Sequence, residues 1–118
     1  MEKVSAVIDT NLIFSALIPK SSKIRDTVLA YDKSFYSPNF LISEIYKHKE
    51  RLFEYTNIGV EDFFILFNGM IERIQFIPIG FIRTQNRQLA HHLCKDIDLK
   101  DIPFVALSLE LNIPLWTG

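Results

Sequence analysis

Val4-Ser5-Ala6-Val7-Ile8 is almost continuously apolar and β-branched, and it stops abruptly at Asp9-Thr10-Asn11. A short apolar run without alternation is the mark of a strand buried on both faces, which occurs in parallel sheets. Asp, Thr and Asn favour helix N-caps, so Leu12 to Ile18 is expected to be a helix stopped by Pro19. Outward from this start the pattern repeats. Ser21–Tyr31 has Ile24, Val28 and Leu29 at helical spacing, and Ser34–Ser37 reads as a short strand ending at Pro38. Asn39 to Tyr55 reads as one helix, with Leu41, Ile45, His48 and Leu52 on a single stripe. Val60–Ile74 is a further helix, opened by Glu61 and Asp62. Gln75–Ile79 reads as a strand, Ile82–Cys94 as a helix and Lys95–Lys100 as a polar loop. Asp101-Ile102-Pro103 opens a last helix that Asn112 ends, and Ile113–Thr117 is a final strand. Strands alternating with helices predict an α/β three-layer sandwich with a central parallel sheet, in the strand order 3-2-1-4 and with the first strand inside.

The 118 residues are 48% hydrophobic and 23% charged, enough for one packed domain and too few for two. The chain is therefore expected to be a single domain over residues 1–118. Thirteen Lys and Arg against fourteen Asp and Glu leave a formal charge of −1, so bulk charge argues for neither nucleic acid nor membrane. No apolar run reaches the roughly 18 residues of a membrane span. With one cysteine, Cys94, no intrachain disulfide can form. A start that is not built like a signal peptide adds to the expectation of a cytoplasmic protein.

Ligands of parallel sheets bind beyond the carboxyl ends of the strands. Four acids fall on that edge: Asp9 after the first strand, Glu44 early in the helix after the second, and Asp98 and Asp101 around the start of the last helix. Crowded carboxylates repel one another and call for a hard cation; oxygen donors with no His or Cys expected nearby point to Mg²⁺ or Mn²⁺. Each acid also has a plainer reading: Asp9 and Asp101 as N-caps, Glu44 as a solvated residue paired with Lys47 or His48, and Asp98 as loop decoration.

Val7-Ile8-Asp9-Thr10-Asn11, Ser43-Glu44-Ile45, Asp98-Leu99-Lys100-Asp101 leading into Pro103–Leu107, and Pro114-Leu115-Trp116-Thr117-Gly118 together resemble a PIN-domain protein. The resemblance covers essentially the whole chain. It implies a metal-dependent endoribonuclease in which Asp9, Glu44 and Asp101 bind metal, with Asp98 as an accessory acid. Thr10, Asn11 and Thr117 would orient them. Many bacterial members are toxins paired with a small antitoxin, which implies RNA and a small protein as partners. In that family a further metal-binding Asp follows the Thr-Gly pair. This sequence reads to Gly118, so the resemblance implies a domain lacking its C-terminal end. The alternative is a catalytically impaired PIN-like scaffold that binds a partner protein or RNA. An uncovered sheet edge or the Phe-rich helices would favour a homodimer.

Other residues carry weaker signals. Lys47, Lys49 and Arg51 lie just beyond Glu44, where they would serve as an RNA-backbone contact or as a solvated face. His91, His92 and Cys94 match no usual zinc spacing and are expected to be surface or core. The ten Phe, among them Phe63, Phe64 and Phe67 at helical spacing, are expected in the core or an interface rather than as base-stacking platforms. His48, on the apolar stripe, is expected to be partly buried. Asp9-Thr10-Asn11 also brings to mind a phosphatase of haloacid-dehalogenase type, but such an enzyme needs a second Asp where Asn11 stands.

Overall fold

A computed structural model describes residues 4–17, 22–29, 33–56, 59–96 and 98–116. Four parallel strands form one sheet in the order β3-β2-β1-β4. They are β1 (Val4–Ile8), β2 (Lys33–Pro38), β3 (Ile74–Ile77) and β4 (Leu115–Trp116). Val7 pairs with Tyr36 on one side and Leu115 on the other, so β1 lies inside the sheet as its apolar run requires. Val7 and Ile8 are fully buried, each contributing on the order of 2 kcal/mol by leaving water.

Seven α-helices flank the sheet among the described residues. They are α1 (Thr10–Leu17), α2 (Ser22–Leu29), α3 (Phe40–Lys47), α4 (Lys49–Thr56), α5 (Val60–Ile71), α6 (Thr84–Cys94) and α7 (Ile102–Leu111). The α/β arrangement and strand order are those expected. Helix α7 is apolar nearly all round and packs on β1 and β2 while α6 covers it; Phe104, Ala106 and Leu107 are buried. Asn112 ends α7 in the left-handed conformation (φ 54°, ψ 46°), which Asn tolerates better than most residues, and its N–H caps Ser108 O. The chain then turns into β4, where Pro114 O accepts from Val7 N at 2.9 Å. Phe63 and Phe67 are core residues of α5, with rings stacked 6.0 Å apart, and Phe64 packs against the same core.

The sequence reading differs from the structure at several element bounds: the helix expected over Val60–Ile74 ends at Ile71, with Ile74 opening β3, the second strand is Lys33–Pro38 rather than Ser34–Ser37, and the last described strand is Leu115–Trp116. The helix expected over Asn39–Tyr55 is two helices, broken at His48 (φ −110°, ψ 11°). The His48 N–H is shared between Glu44 O and Ile45 O, which tightens the last turn of α3. No Gly or Pro marks this break. The third strand is Ile74–Ile77 rather than Gln75–Ile79, because a 3₁₀ turn over Ile79–Phe81 follows Pro78. That turn also delays α6 to Thr84. Pro19, Thr117 and Gly118 lie outside the described residues.

Candidate active site

Parallel strands all end on one edge, and that edge positions the acids. Ser37, wholly buried in β2, donates from its hydroxyl to Ile8 O at 3.1 Å, tying the last residue of β1 to its neighbour just before Asp9. At the far side of β2, Asn39 N donates to Ile77 O at 3.1 Å and sets where α3 begins. Helix α7 runs back against the strands, so its N-terminus lies on the same edge.

A cleft of about 140 Å³ opens there. Asp9, Thr10, Asn11 and Phe14 line it from the β1–α1 segment, Phe40, Glu44 and His48 from α3, and Asp98, Lys100, Asp101 and Phe104 from the start of α7. All four expected acids therefore share one cleft, together with Thr10 and Asn11. Thr117 falls outside the described residues. Lys47, Lys49 and Arg51 are exposed and do not line the cleft; the Lys49 ammonium lies over the Tyr46 ring, 5.8 Å from its centroid. His91 and His92 are exposed while Cys94 is buried, in keeping with surface and core roles.

The carboxylates differ in what they do locally. Asp9 is only 6% exposed and accepts from Leu12 N at 2.8 Å, so it caps α1 as well as lining the cleft. The two aspartates at the start of α7 make different local bonds. Asp98 Oδ1 accepts from Lys100 N at 2.9 Å and caps the 3₁₀ turn Leu99–Asp101. Asp101 stands at the N-cap position of α7, yet its side chain makes no capping bond. Its pKa is raised above the usual 3.8, first by burial and then by the negative charges of Asp98 and Asp9. Burial first, and then the negative charges of Asp101 and Asp98, push the Cys94 thiol up. Glu44, 29% exposed, lies 3.8 Å from His48 Nε2, too long for a hydrogen bond.

The carboxylate, hydroxyl and amide oxygens of the cleft are donors of the kind a hard divalent cation takes, and the charges of Asp98 and Asp9 add to burial in raising Asp101. Among the described residues no group of three His, Cys, Asp or Glu side chains is close enough to hold a metal ion as they stand.

Sequence reasoning missed His48 and Lys100 as cleft residues. Lys100 was legible in principle as the one cation between two site acids, Asp98 and Asp101. His48 was legible as the i+4 neighbour of Glu44, although its place on the apolar stripe pointed to the core. Among the described residues no helix is long and apolar enough to cross a membrane. Compared with known families, residues 7–118 match the one described as PIN domain. Neither the curated proteins nor the solved structures contain a significant match.

Proposed function

Because the chain belongs to the PIN-domain family, we propose that its acidic cleft hydrolyses RNA phosphodiesters with a bound Mg²⁺ or Mn²⁺ ion. PIN domains are generally nucleases and typically depend on a divalent metal, which supports a ribonuclease-type role. The single observation that carries this reading is the meeting of Asp9, Glu44, Asp98 and Asp101, from three separate parts of the chain, in one cleft at the carboxyl edge of the sheet.

Asp9 and Asp101 would hold the ion. Asp9 is fixed by its cap to Leu12 N, and the Asp101 side chain makes no capping bond to α7. When bound, the ion supplies a water of lowered pKa and charge stabilisation on the phosphate oxygens. Glu44, on α3 across the cleft, would help hold the ion or orient the attacking water. Asp98 adds negative charge at the margin and shapes the turn that presents Asp101. Thr10 and Asn11 orient the neighbouring carboxylates, and Thr117 is assigned the same role. Lys100 lines the cleft and meets a non-bridging phosphate oxygen, while Lys47, Lys49 and Arg51 are placed farther along the RNA backbone.

The wider reading is a cytoplasmic toxin restrained by a small antitoxin, or a self-associating chain. Exposed Leu89 and Leu93, one turn apart on α6, support either partner. Calorimetric titration with MnCl₂ and MgCl₂ tests the metal assignment. The wild-type chain should bind and Asp101→Asn should bind at least tenfold more weakly. Equal binding by both would remove Asp101 from the site and leave the scaffold alternative standing.

A further inference from the structure

The acids account for only part of the cleft. Phe40 and Glu44 stand four apart on α3, and His48, the residue that caps its C-terminus, follows Glu44 by four more, so the three line the cleft in succession with His48 about one turn beyond the carboxylate. On α1, Phe14 stands one turn beyond Thr10. The two turns meet: the Phe14 and His48 rings lie 5.9 Å apart at 83°, edge to face. A second aromatic pair, Phe40 with Phe104 at 5.3 Å, lies on the opposite side of Glu44. Burial separates the two pairs at one ring, since Phe40 is half-buried like Phe14. Phe104 is 3% exposed and belongs to the core, whereas the His48 side chain is 34% exposed and Phe14 is half-buried.

Coordination of a cation gives no use for an aromatic corner, and neither does a phosphate. A nucleobase uses both of its surfaces: its face stacks on one ring and its edge meets the other. We propose that Phe14 and His48 form a subsite for one unstacked nucleobase, that of the nucleotide adjoining the phosphate held at the acids. This inference rests on the ribonuclease reading above. The corner is one helical turn from Glu44, about 5–6 Å along the axis, which is within reach of a base joined through its ribose to a phosphate at the carboxylates. The base must leave its helical stack to enter, so the subsite selects single-stranded over double-stranded RNA. Stacking is tolerant of base identity, and His48 adds a hydrogen-bonding edge that favours one base over another.

The test uses the whole chain with Mn²⁺ and a short fluorescent single-stranded RNA, reading cleavage kinetics and, by anisotropy, binding. Phe14→Leu keeps apolar bulk and removes the aromatic face; it should weaken binding about five- to hundredfold, as expected for one lost base–aromatic stack. Most of that loss should appear in KM, and Phe14→Tyr should restore it. His48→Gln, at a partly exposed position where folding is little at risk, should weaken binding and change the ranking of RNAs that differ in one base. An RNA with an abasic nucleotide beside the cleavage point should bind wild type as weakly as the intact RNA binds Phe14→Leu, with little further loss when the two are combined. Unchanged binding by both variants, or losses that multiply in full with the abasic substitution, would overturn the subsite while wild-type cleavage still supports the nuclease. RNA binding that depends on Phe14 without any cleavage would keep the subsite and sink the catalytic reading instead. Absence of both binding and cleavage in wild type would overturn the two together.

Discussion

Replacing Asp9 by Asn and by Ala separates two tasks that one side chain performs. Its Oδ1 accepts from Leu12 N at 2.8 Å in a buried position, and its charge adds to the repulsion that raises Asp101. Asn retains the capping oxygen, so Asp9→Asn should keep most of the fold's stability. Ala leaves Leu12 N–H without its acceptor, which costs about 1 kcal/mol for a lost N-cap, and up to about 2 kcal/mol in a buried setting. In a chain of this size that is a fall in Tm of roughly 4–8 °C. The charge-dependent effects should be common to both variants. Asp101 should ionise more easily than in wild type, Mn²⁺ should bind more weakly, and RNA cleavage should fall by a factor of a few hundred, the equivalent of about 3–4 kcal/mol of lost transition-state stabilisation. Thermal melting without added cation, calorimetric Mn²⁺ titration and cleavage of single-stranded RNA read the three effects separately. A melting temperature for Asp9→Asn as low as that for Asp9→Ala would refute the division into cap and charge. Wild-type Mn²⁺ affinity in Asp9→Asn would remove this residue from the metal site.

Four other outcomes are expected. Ser37→Ala should destabilise the protein by about 1–2 kcal/mol in urea unfolding, because the buried Ile8 O loses its hydroxyl partner, and part of the cleavage activity should go with it as the end of β1 loosens. Lys100→Ala should weaken RNA binding and flatten its salt dependence, yet bind Mn²⁺ more tightly, since a positive charge leaves the cleft; paired losses of both affinities would contradict this. The raised Asp101 carboxyl holds its proton in the folded state at pH values where the unfolded chain has lost it. Without cation, its contribution to stability therefore declines as pH rises from 3.8 through the folded pKa, and the difference between wild type and Asp101→Asn in urea unfolding across that range should show the decline. Glu110 is shifted the other way, first by the Arg83 backbone N–H that donates to it at 2.6 Å, then by Asn86 and the Arg83 guanidinium. Its contribution is present above pH 4.5 and lost as pH falls through the lower folded value, so Glu110→Gln should show a shallower acid-unfolding curve.

The sheet was legible because its signals are local and strong. The unalternating Val4–Ile8 run places β1 inside, and Asp9-Thr10-Asn11 places a polar break at the sheet edge. The break at His48 was not legible. Nothing in Lys47-His48-Lys49 opposes a helix, and the kink accompanies a contact with Phe14, 34 residues earlier in the chain. For the cleft, residue type and strand-end position sufficed to bring four acids together. Which aspartate caps and which stays open was beyond sequence: Asp98 and Asp101 are equally good caps by residue type, and the 3₁₀ turn between them decides. The aromatic side of the cleft was hidden because Phe14, Phe40 and Phe104 share the helical spacing of ordinary core residues.

The most direct test is cleavage of a single-stranded RNA by the purified chain, followed with MnCl₂ and again after excess chelator, alongside Asp101→Asn prepared identically. Asp101 faces the cleft without a capping duty, so its substitution removes charge with little cost to the fold. The account predicts cleavage by wild type that stops on chelation and returns with Mn²⁺, and a loss of at least a hundredfold in a folded Asp101→Asn. Cleavage that survives both the chelator and the substitution would contradict it.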